Sequence, residues 1–460
     1  MMKWQKLLII FLTSIFIMLS LNFKKRAENK QEINFQKSDY IIEQFTLDNG
    51  MEVIVIPNHR VPAVMHMVWY KVGGIYENLG KTGLAHYLEH LMFHGTAKYK
   101  KNDLDNLVSD FGGSHNAFTS YDFTAYYQNV PKQYLDDVMD IEADRMRNLV
   151  LVEEQTKIEL DVVLEERLMR RDNSPRSVLD EKVKEAMLSK DHPYGRPLIG
   201  YEKDIKSLTH QDALDFYNRY YYPNNAILVL SGDIDLEEAK ILAKKHYGKL
   251  DAGPSSELTL ADSRSKVLEN NVTHYDKNTT NTEIKISYLA PDLLSEDKKH
   301  VYALSVLSYL LAEHKNSILY KKLVTELDLL LSVSSSYSDM SRGQSFFELD
   351  LILKDDQHEA EVLKIIQDEL NALAQGNINN KALERAKKIF LIETIYSKES
   401  YKSLAYIVGM NYTTGISIEE IKEWDRKIMD VTKQDIGDAV NFVFQKEKKN
   451  IGYLKSLNKK

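Results

Sequence analysis

The chain has 460 residues, of which 43% are hydrophobic and 28% charged, with only 19 Gly and 9 Pro. That composition excludes a mini-protein, a collagen-like chain and bulk disorder, and it suffices for large buried cores. Lys plus Arg number 60 against 68 Asp plus Glu, a formal charge of −8, so there is no net electrostatic footprint for nucleic acid. The absence of Cys removes disulfides, thiolate metal sites, a cysteine nucleophile and a lipid-modified cysteine anchor.

Residues 7–23 form an almost wholly apolar run between Lys3 and Lys6 on one side and Lys24, Lys25 and Arg26 on the other. This is a signal-type segment, and it implies export. No small-x-small cleavage site stands out after Leu19, which favours an uncleaved membrane anchor over a cleaved signal peptide. Basic residues flank both sides, so charge does not fix its orientation. Residues 1–41 are therefore read as this segment and a polar linker, with the folded body starting near Ile42.

Apolar alternation at 52–56 and 63–72 predicts strands, and helix-compatible spacing follows at 83–93, 132–149 and 153–169. A helix at 209–217, a strand at 225–230 and a helix at 236–247 complete a mixed unit. The stretch Asp251-Ala-Gly-Pro-Ser-Ser reads as a linker. Beyond it the order recurs. Thr209-His-Gln-Asp212 and Thr432-Lys-Gln-Asp435 each open a helix with a Thr cap and an acid three residues on, and each precedes a short apolar strand, at 227–230 and 451–454. A strand at 284–288 precedes a helix at 301–311, and long helices are predicted at 357–373 and 381–396. The expectation is an α+β protein with two homologous, clamshell-like domains, each a mixed or antiparallel sheet packed by helices, at 42–250 and 263–460, joined by 251–262.

Within the first copy, Gly83-Leu-Ala-His-Tyr-Leu-Glu-His-Leu-Met-Phe places His86 and His90 four apart on one helix face. Two imidazoles side by side suit two ligands of a tetrahedral zinc, and Glu89 lies where a carboxylate can act as general base on the attacking water. This is the inverted zinc-protease motif, His-x-x-Glu-His. His94 extends the row, but eight helical residues rise about 12 Å, against roughly 3–4 Å between neighbouring ligands of zinc. With Gly95 ending the helix, His94 is read as packing or surface. The third ligand must come from elsewhere, and the helix at 153–169 is the best supplier. Glu159 and Glu166 are seven apart and face the same way, whereas Glu165 points about 100° off. Glu166 is the expected ligand and Glu159 a group behind it that orients a ligand.

These residues resemble the pitrilysin and insulysin family of metallopeptidases, in particular the branch containing the mitochondrial processing peptidase and its short bacterial relatives. The likeness rests on His86-Tyr-Leu-Glu-His90, on Glu166 following 76 positions after His90, on Glu159, and on Gly112-Gly-Ser-His-Asn-Ala-Phe-Thr. It implies His86, His90 and Glu166 as ligands of one zinc, Glu89 as base, and Asn116 with the Ala117 backbone as substrate contacts. The aromatic and Thr-rich stretch 117–130 reads as strand or hairpin, whose edge could pair with an extended peptide.

In the second copy Ser305, Ser308 and Tyr309 fall at the places of His86, Glu89 and His90 and cannot form such a site. Relatives commonly carry an Arg and a Tyr in a stretch resembling residues 317–331 that hold substrate; here Val324 and Leu331 stand there. Because the processing-peptidase branch divides such residues between two chains, the resemblance implies the zinc-bearing subunit of a heterodimer whose partner supplies the Arg and Tyr. Two other readings compete: a scaffold subunit like the respiratory-complex core proteins, and a metal-storage module. Manganese or cobalt could occupy a His2Glu site, with zinc the default. No feature supports nucleic-acid binding.

Overall fold

Runs rich in Val, Ile and aromatic residues become the strands of two sheets, and helices between them pack apolar side chains into the cores. The structure, a computed structural model, describes residues 40–254 and 267–457. The apolar segment at 7–23 and most of the linker at 251–262 lie outside the described residues.

The first half runs β1 (Glu43–Thr46), β2 (Glu52–Pro57), β3 (Ala63–Tyr70), α1 (Leu84–Leu91), α2 (Asp103–Asp110), β4 (Ser114–Thr119), β5 (Thr124–Pro131), α3 (Leu135–Asn148), α4 (Glu153–Arg167), α5 (Pro175–Leu188), α6 (Glu202–Ile205), α7 (His210–Tyr220), β6 (Ala226–Gly232) and α8 (Leu236–His246). The second half runs β7 (Asn271–Asp276), β8 (Glu283–Ala290), α9 (Val301–Ser308), β9 (Leu330–Tyr337), β10 (Ser345–Leu353), α10 (Glu359–Ala374), α11 (Asn380–Glu399), α12 (Tyr401–Thr414), α13 (Ile418–Asp430), α14 (Lys433–Val443) and β11 (Lys449–Ser456).

Six strands form the first sheet in the order β1-β2-β6-β3-β5-β4, and five form the second in the order β7-β11-β8-β10-β9. With β1 set aside the two orders correspond strand for strand. In each, the last strand of the half lies parallel to the first, β6 on β2 and β11 on β7, while the other pairs are antiparallel. The two Thr-x-x-Asp markers both form capping boxes, at Thr209 with Asp212 and at Thr432 with Asp435. The internal repeat read from the sequence is thus a repeat of topology.

Both sheets belong to one packed unit that begins at Ile41, and the halves exchange helices. Helix α5 of the first half lies on β7 and β11, while α12 of the second half lies on β3 and β6. Glycine makes each approach close. A Cβ on Gly452 of β11 would stand 2.5 Å from Val183 of α5, and one on Gly409 of α12 would stand 2.3 Å from the Trp69 indole. Each half keeps its own apolar core, around Val68, Leu88 and Met139 in the first and around Leu304, Phe347 and Ile436 in the second.

Several helix ends differ from the expectation. Helix α1 tightens to a three-residue turn over Met92–His94, and α4 widens at Leu168–Asp172. The stretch at 117–130 is a hairpin, β4 with β5.

Candidate metal centre

Gly83 caps the start of helix α1; its φ is +87°, and a Cβ there would stand 2.5 Å from the Ile199 carbonyl oxygen, which leaves no room for a side chain. The Glu77 carboxylate accepts from the Gly83 and Ala85 N–H groups at 2.9 and 2.8 Å, meeting donors that the first helical turn leaves free. Burial pushes the Glu77 carboxyl up to about 8. Leu84, Ala85, Tyr87, Leu88 and Leu91 enter the core, which leaves His86, Glu89 and His90 on the half-buried face. The Tyr87 hydroxyl donates to the Thr156 carbonyl at 2.6 Å and ties α1 to α4.

That contact brings Glu166 against the histidine pair. His86 Nε2 lies 3.5 Å and His90 Nε2 3.2 Å from the same oxygen, Glu166 Oε2. One donor atom from each of His86, His90 and Glu166 lies within 4.8 Å of the other two, and among the described residues no other group of three His, Asp or Glu does so. A tetrahedral zinc with arms of about 2.0–2.2 Å sets its ligand atoms roughly 3.3–3.6 Å apart, so the donor types and the two imidazole–carboxylate separations fit the cation. The other Glu166 oxygen accepts from Arg170 at 2.7 Å. Glu165 is exposed on the outer face of α4.

Glu159 stands behind the pair. Its Oε1 lies 3.0 Å from His90 Nδ1, which leaves the His90 Nε2 lone pair for a cation. Hydrogen bonds from His90 and His94 hold the Glu159 carboxyl well below the usual range. Burial opposes a charge on His90, but its bonds to Glu159 and Glu166 outweigh that and raise it to about 9. His86, buried and beside His90, is pushed down to about 4. Two carboxylates, Glu159 and Glu166, thus face the imidazole pair, an arrangement of donors and negative charge that suits a divalent cation.

Glu89 lies beside this cluster. Its Oε2 accepts from the Thr119 hydroxyl at 2.5 Å, and burial raises its pKa above the usual carboxylate value despite that bond. Thr119 ends β4, the edge strand of the first sheet, which also carries Asn116 and Ala117. Because Ser120 and Phe123 form a hydrogen-bonded pair at the hairpin end, the alternation of the ladder turns the Ala117 N–H to the free edge. There it is met at 2.8 Å by the Asn116 side-chain oxygen.

His86, Glu89, His90, Glu159 and Glu166 are therefore assembled in one place, with Asn116 and Ala117 on the strand that reaches Glu89. The reading of His94 as packing or surface needs refining: it is buried, as packing requires, but its Nε2 lies 3.0 Å from Glu159. Thr119, Arg170 and Glu77 were not singled out from the sequence. A capping acid six residues before Gly83 was the available signal for Glu77. In the second half the Ser305 and Ser308 hydroxyls donate back to carbonyls of their own helix, and the Tyr309 hydroxyl donates to Glu393. Val324 packs against the second core, and Leu331 is exposed on β9.

Duplicated α+β halves, with a His-x-x-Glu-His helix in one of them and Ser305, Ser308 and Tyr309 at the corresponding positions of the other, define the metallopeptidase class with the inverted motif. Comparison with known proteins agrees. Residues 52–202 match the family described as Insulinase (Peptidase family M16), and residues 207–390 match the Peptidase M16 inactive domain. The zinc protease PqqE of Helicobacter pylori is 31% identical over 90% of this chain and 92% of its own. An uncharacterized zinc protease of Bacillus subtilis, YmxG, is 26% identical over 81% and 88% of the two chains. Among solved structures, a protease from Helicobacter pylori superposes with a TM-score of 0.82 at 28% identity, over 90% of this chain and 99% of that one. A peptidase M16 inactive domain from Pseudomonas fluorescens shares the fold at a TM-score of 0.80 and 15% identity, over 90% and 98%. The chain belongs to peptidase family M16.

Proposed function

We propose that this protein is a zinc-dependent endopeptidase that hydrolyses extended or partly unfolded polypeptides, with one zinc per chain held by His86, His90 and Glu166. The observation that carries this reading is the convergence of those donors from α1 and α4 beside a carboxylate, Glu89, that is not one of them. Zinc bound there supplies a Lewis acid that polarises a carbonyl and acidifies water. Glu89 takes the proton of the attacking water and returns it to the leaving amine. Burial, by raising the Glu89 pKa, brings the carboxyl closer to neutral pH, where both transfers are feasible. Glu159 orients His90, and Thr119 fixes one Glu89 oxygen.

The free edge of β4 is the substrate-binding strand in this proposal. A peptide paired to it by main-chain hydrogen bonds passes Glu89, because Thr119 of that strand touches Glu89. Pairing of this kind uses the backbone, so sequence preference is loose. Asn116 and Ala117 contact the substrate, with the Asn116 oxygen exchanging the Ala117 N–H for the peptide.

The second half, with no three-donor cluster among its described residues, serves as an enclosing wall. With Val324 and Leu331 where relatives commonly carry an Arg and a Tyr, we propose that a different chain supplies those two side chains in a heterodimer. We also propose that residues 7–23 direct export, with the body held outside the cytoplasm. Among the described residues no helix is long and apolar enough to cross a membrane, so an anchor would be this segment.

The test is elemental analysis and peptide hydrolysis on protein purified from the native membrane fraction, with and without chelator, with and without any co-purifying chain. Zinc near one per chain and chelator-sensitive hydrolysis are expected. A scaffold subunit would carry neither zinc nor activity, and a storage module would carry zinc without turnover. Full activity of the isolated chain would overturn the heterodimer.

A further inference from the structure

The second histidine spacing in the motif, from His90 to His94, is not absorbed by the reaction above. His94 has a side chain only 1% exposed, and its Nε2 lies 3.0 Å from Glu159 Oε2. Its Nδ1 has no hydrogen-bond partner among the described residues. A proton on Nδ1 would be a buried donor without an acceptor, so the proton sits on Nε2 and is donated to Glu159. The two oxygens of Glu159 are then each used once, Oε1 by His90 and Oε2 by His94. The nearest further cation, Lys101, is half exposed and 4.0 Å from Oε2.

The backbone holds His94 for this contact. The chain tightens over Met92–His94 and then turns at Gly95, where φ is +95° and a Cβ would stand 2.5 Å from the Tyr99 carbonyl. The position of His94 is therefore set by main-chain geometry, and the position of Glu159 by His94.

We propose that His94 is a positioning residue of the metal centre: by holding the second oxygen of Glu159 it fixes the carboxylate that aims His90 at the cation. This rests on reading His86, His90 and Glu166 as the zinc site. Without His94, Glu159 keeps one bond and can rotate about its last side-chain torsion, and the His90 ring loses its fixed orientation. Outer partners of metal-bound histidines are typically worth about 10–100-fold in metal affinity.

The experiment measures zinc affinity of the metal-free full chain by competition with a chromogenic chelator, using Zn2+ alone, for wild type, His94→Leu and His94→Gln, and for both His94→Leu and wild-type His94 in a Glu159→Ala background. His94→Leu should bind zinc more weakly, by up to about 10–100-fold, the worth of an outer partner of a ligand. His94→Gln, which presents an amide N–H at similar reach, should return most of that loss. In the Glu159→Ala background His94→Leu should have no further effect, since its action passes through that carboxylate. Wild-type affinity in His94→Leu, or an equal loss in the Glu159→Ala background, overturns the proposal. Should His94→Leu not fold, a tenfold or greater loss in His94→Gln overturns it and near-wild-type affinity supports it. A wild-type chain that takes up no zinc instead sinks the metal-site reading itself, so the two failures are distinct.

Discussion

Replacing Glu89 by Gln separates the roles assigned within one helix. The side chains are nearly the same size, and a Gln oxygen can still accept from Thr119, now 2.5 Å from the Glu89 carboxylate. None of the three donors within 4.8 Å of one another is altered, so zinc uptake should stay at one per chain. What is lost is the proton acceptor. General acid–base catalysis is worth about a hundred- to ten-thousand-fold, or roughly 3–5 kcal/mol of barrier at about 1.4 kcal/mol per decade. Stability should move the other way. Burial disfavours the Glu89 charge, so the neutral amide should leave the metal-free fold at least as stable as wild type at neutral pH. The assay combines zinc content, a metal-free thermal melt, and initial rates on a quenched-fluorescence unstructured peptide. A rate within threefold of wild type would refute Glu89 as base, and loss of zinc would refute its separation from the ligands.

Three further outcomes concern the fold that carries the site. Gly409→Ala should cost about 1–3 kcal/mol in urea denaturation, since the added Cβ would stand 2.3 Å from Trp69 and force α12 off the first sheet; an unchanged midpoint would contradict the docking. Arg342, on the turn between β9 and β10, donates to the Tyr76 hydroxyl at 2.9 Å and to the Thr413 carbonyl, so Arg342→Leu should lower stability by about 1.5–3 kcal/mol. Loss of hydrogen-exchange protection should concentrate where the halves meet in that variant, and a uniform change would argue against a local clasp. Glu77 has its folded pKa raised to about 8 from 4.5, so its contribution to stability is intact below pH 4.5 and falls as pH rises toward 8. Wild type should therefore lose up to about 1.4 kcal/mol per pH unit relative to Glu77→Gln across that window, and parallel curves would show that Glu77 does not carry the dependence.

Strand β9 is an element that sequence reading missed because its local pattern is weak. It reads Leu-Leu-Ser-Val-Ser-Ser-Ser-Tyr, too rich in Ser for strand propensity to mark it. Its pairing with β10, a tertiary event, makes it a strand. Helix α5 carries a local start signal, Ser174 accepting from Ser177 N–H with Pro175 at the first position. Its buried residues, among them Leu179, Val183 and Met187, face two sheet strands of the other half, a contact that only the tertiary structure reveals. The repeat, in contrast, was legible because capping boxes at Thr209 and Thr432 depend on four consecutive residues.

By itself the sequence determined what the covalent geometry of a helix dictates. An α-helix puts His86 beside His90 and Glu159 on the face of Glu166 wherever it is placed, and its rise per residue keeps His94 from sharing a cation with His86. Only the tertiary structure decided which elements meet. Glu166 reaches both imidazoles because α4 packs on α1 through Tyr87 and Thr156, Thr119 reaches Glu89 because β4 is the edge strand, and His94 finds Glu159 because the chain turns at Gly95. Angles along one helix are fixed by bonds between neighbours, whereas distances between helices are fixed by the packing of cores assembled from residues far apart in the chain.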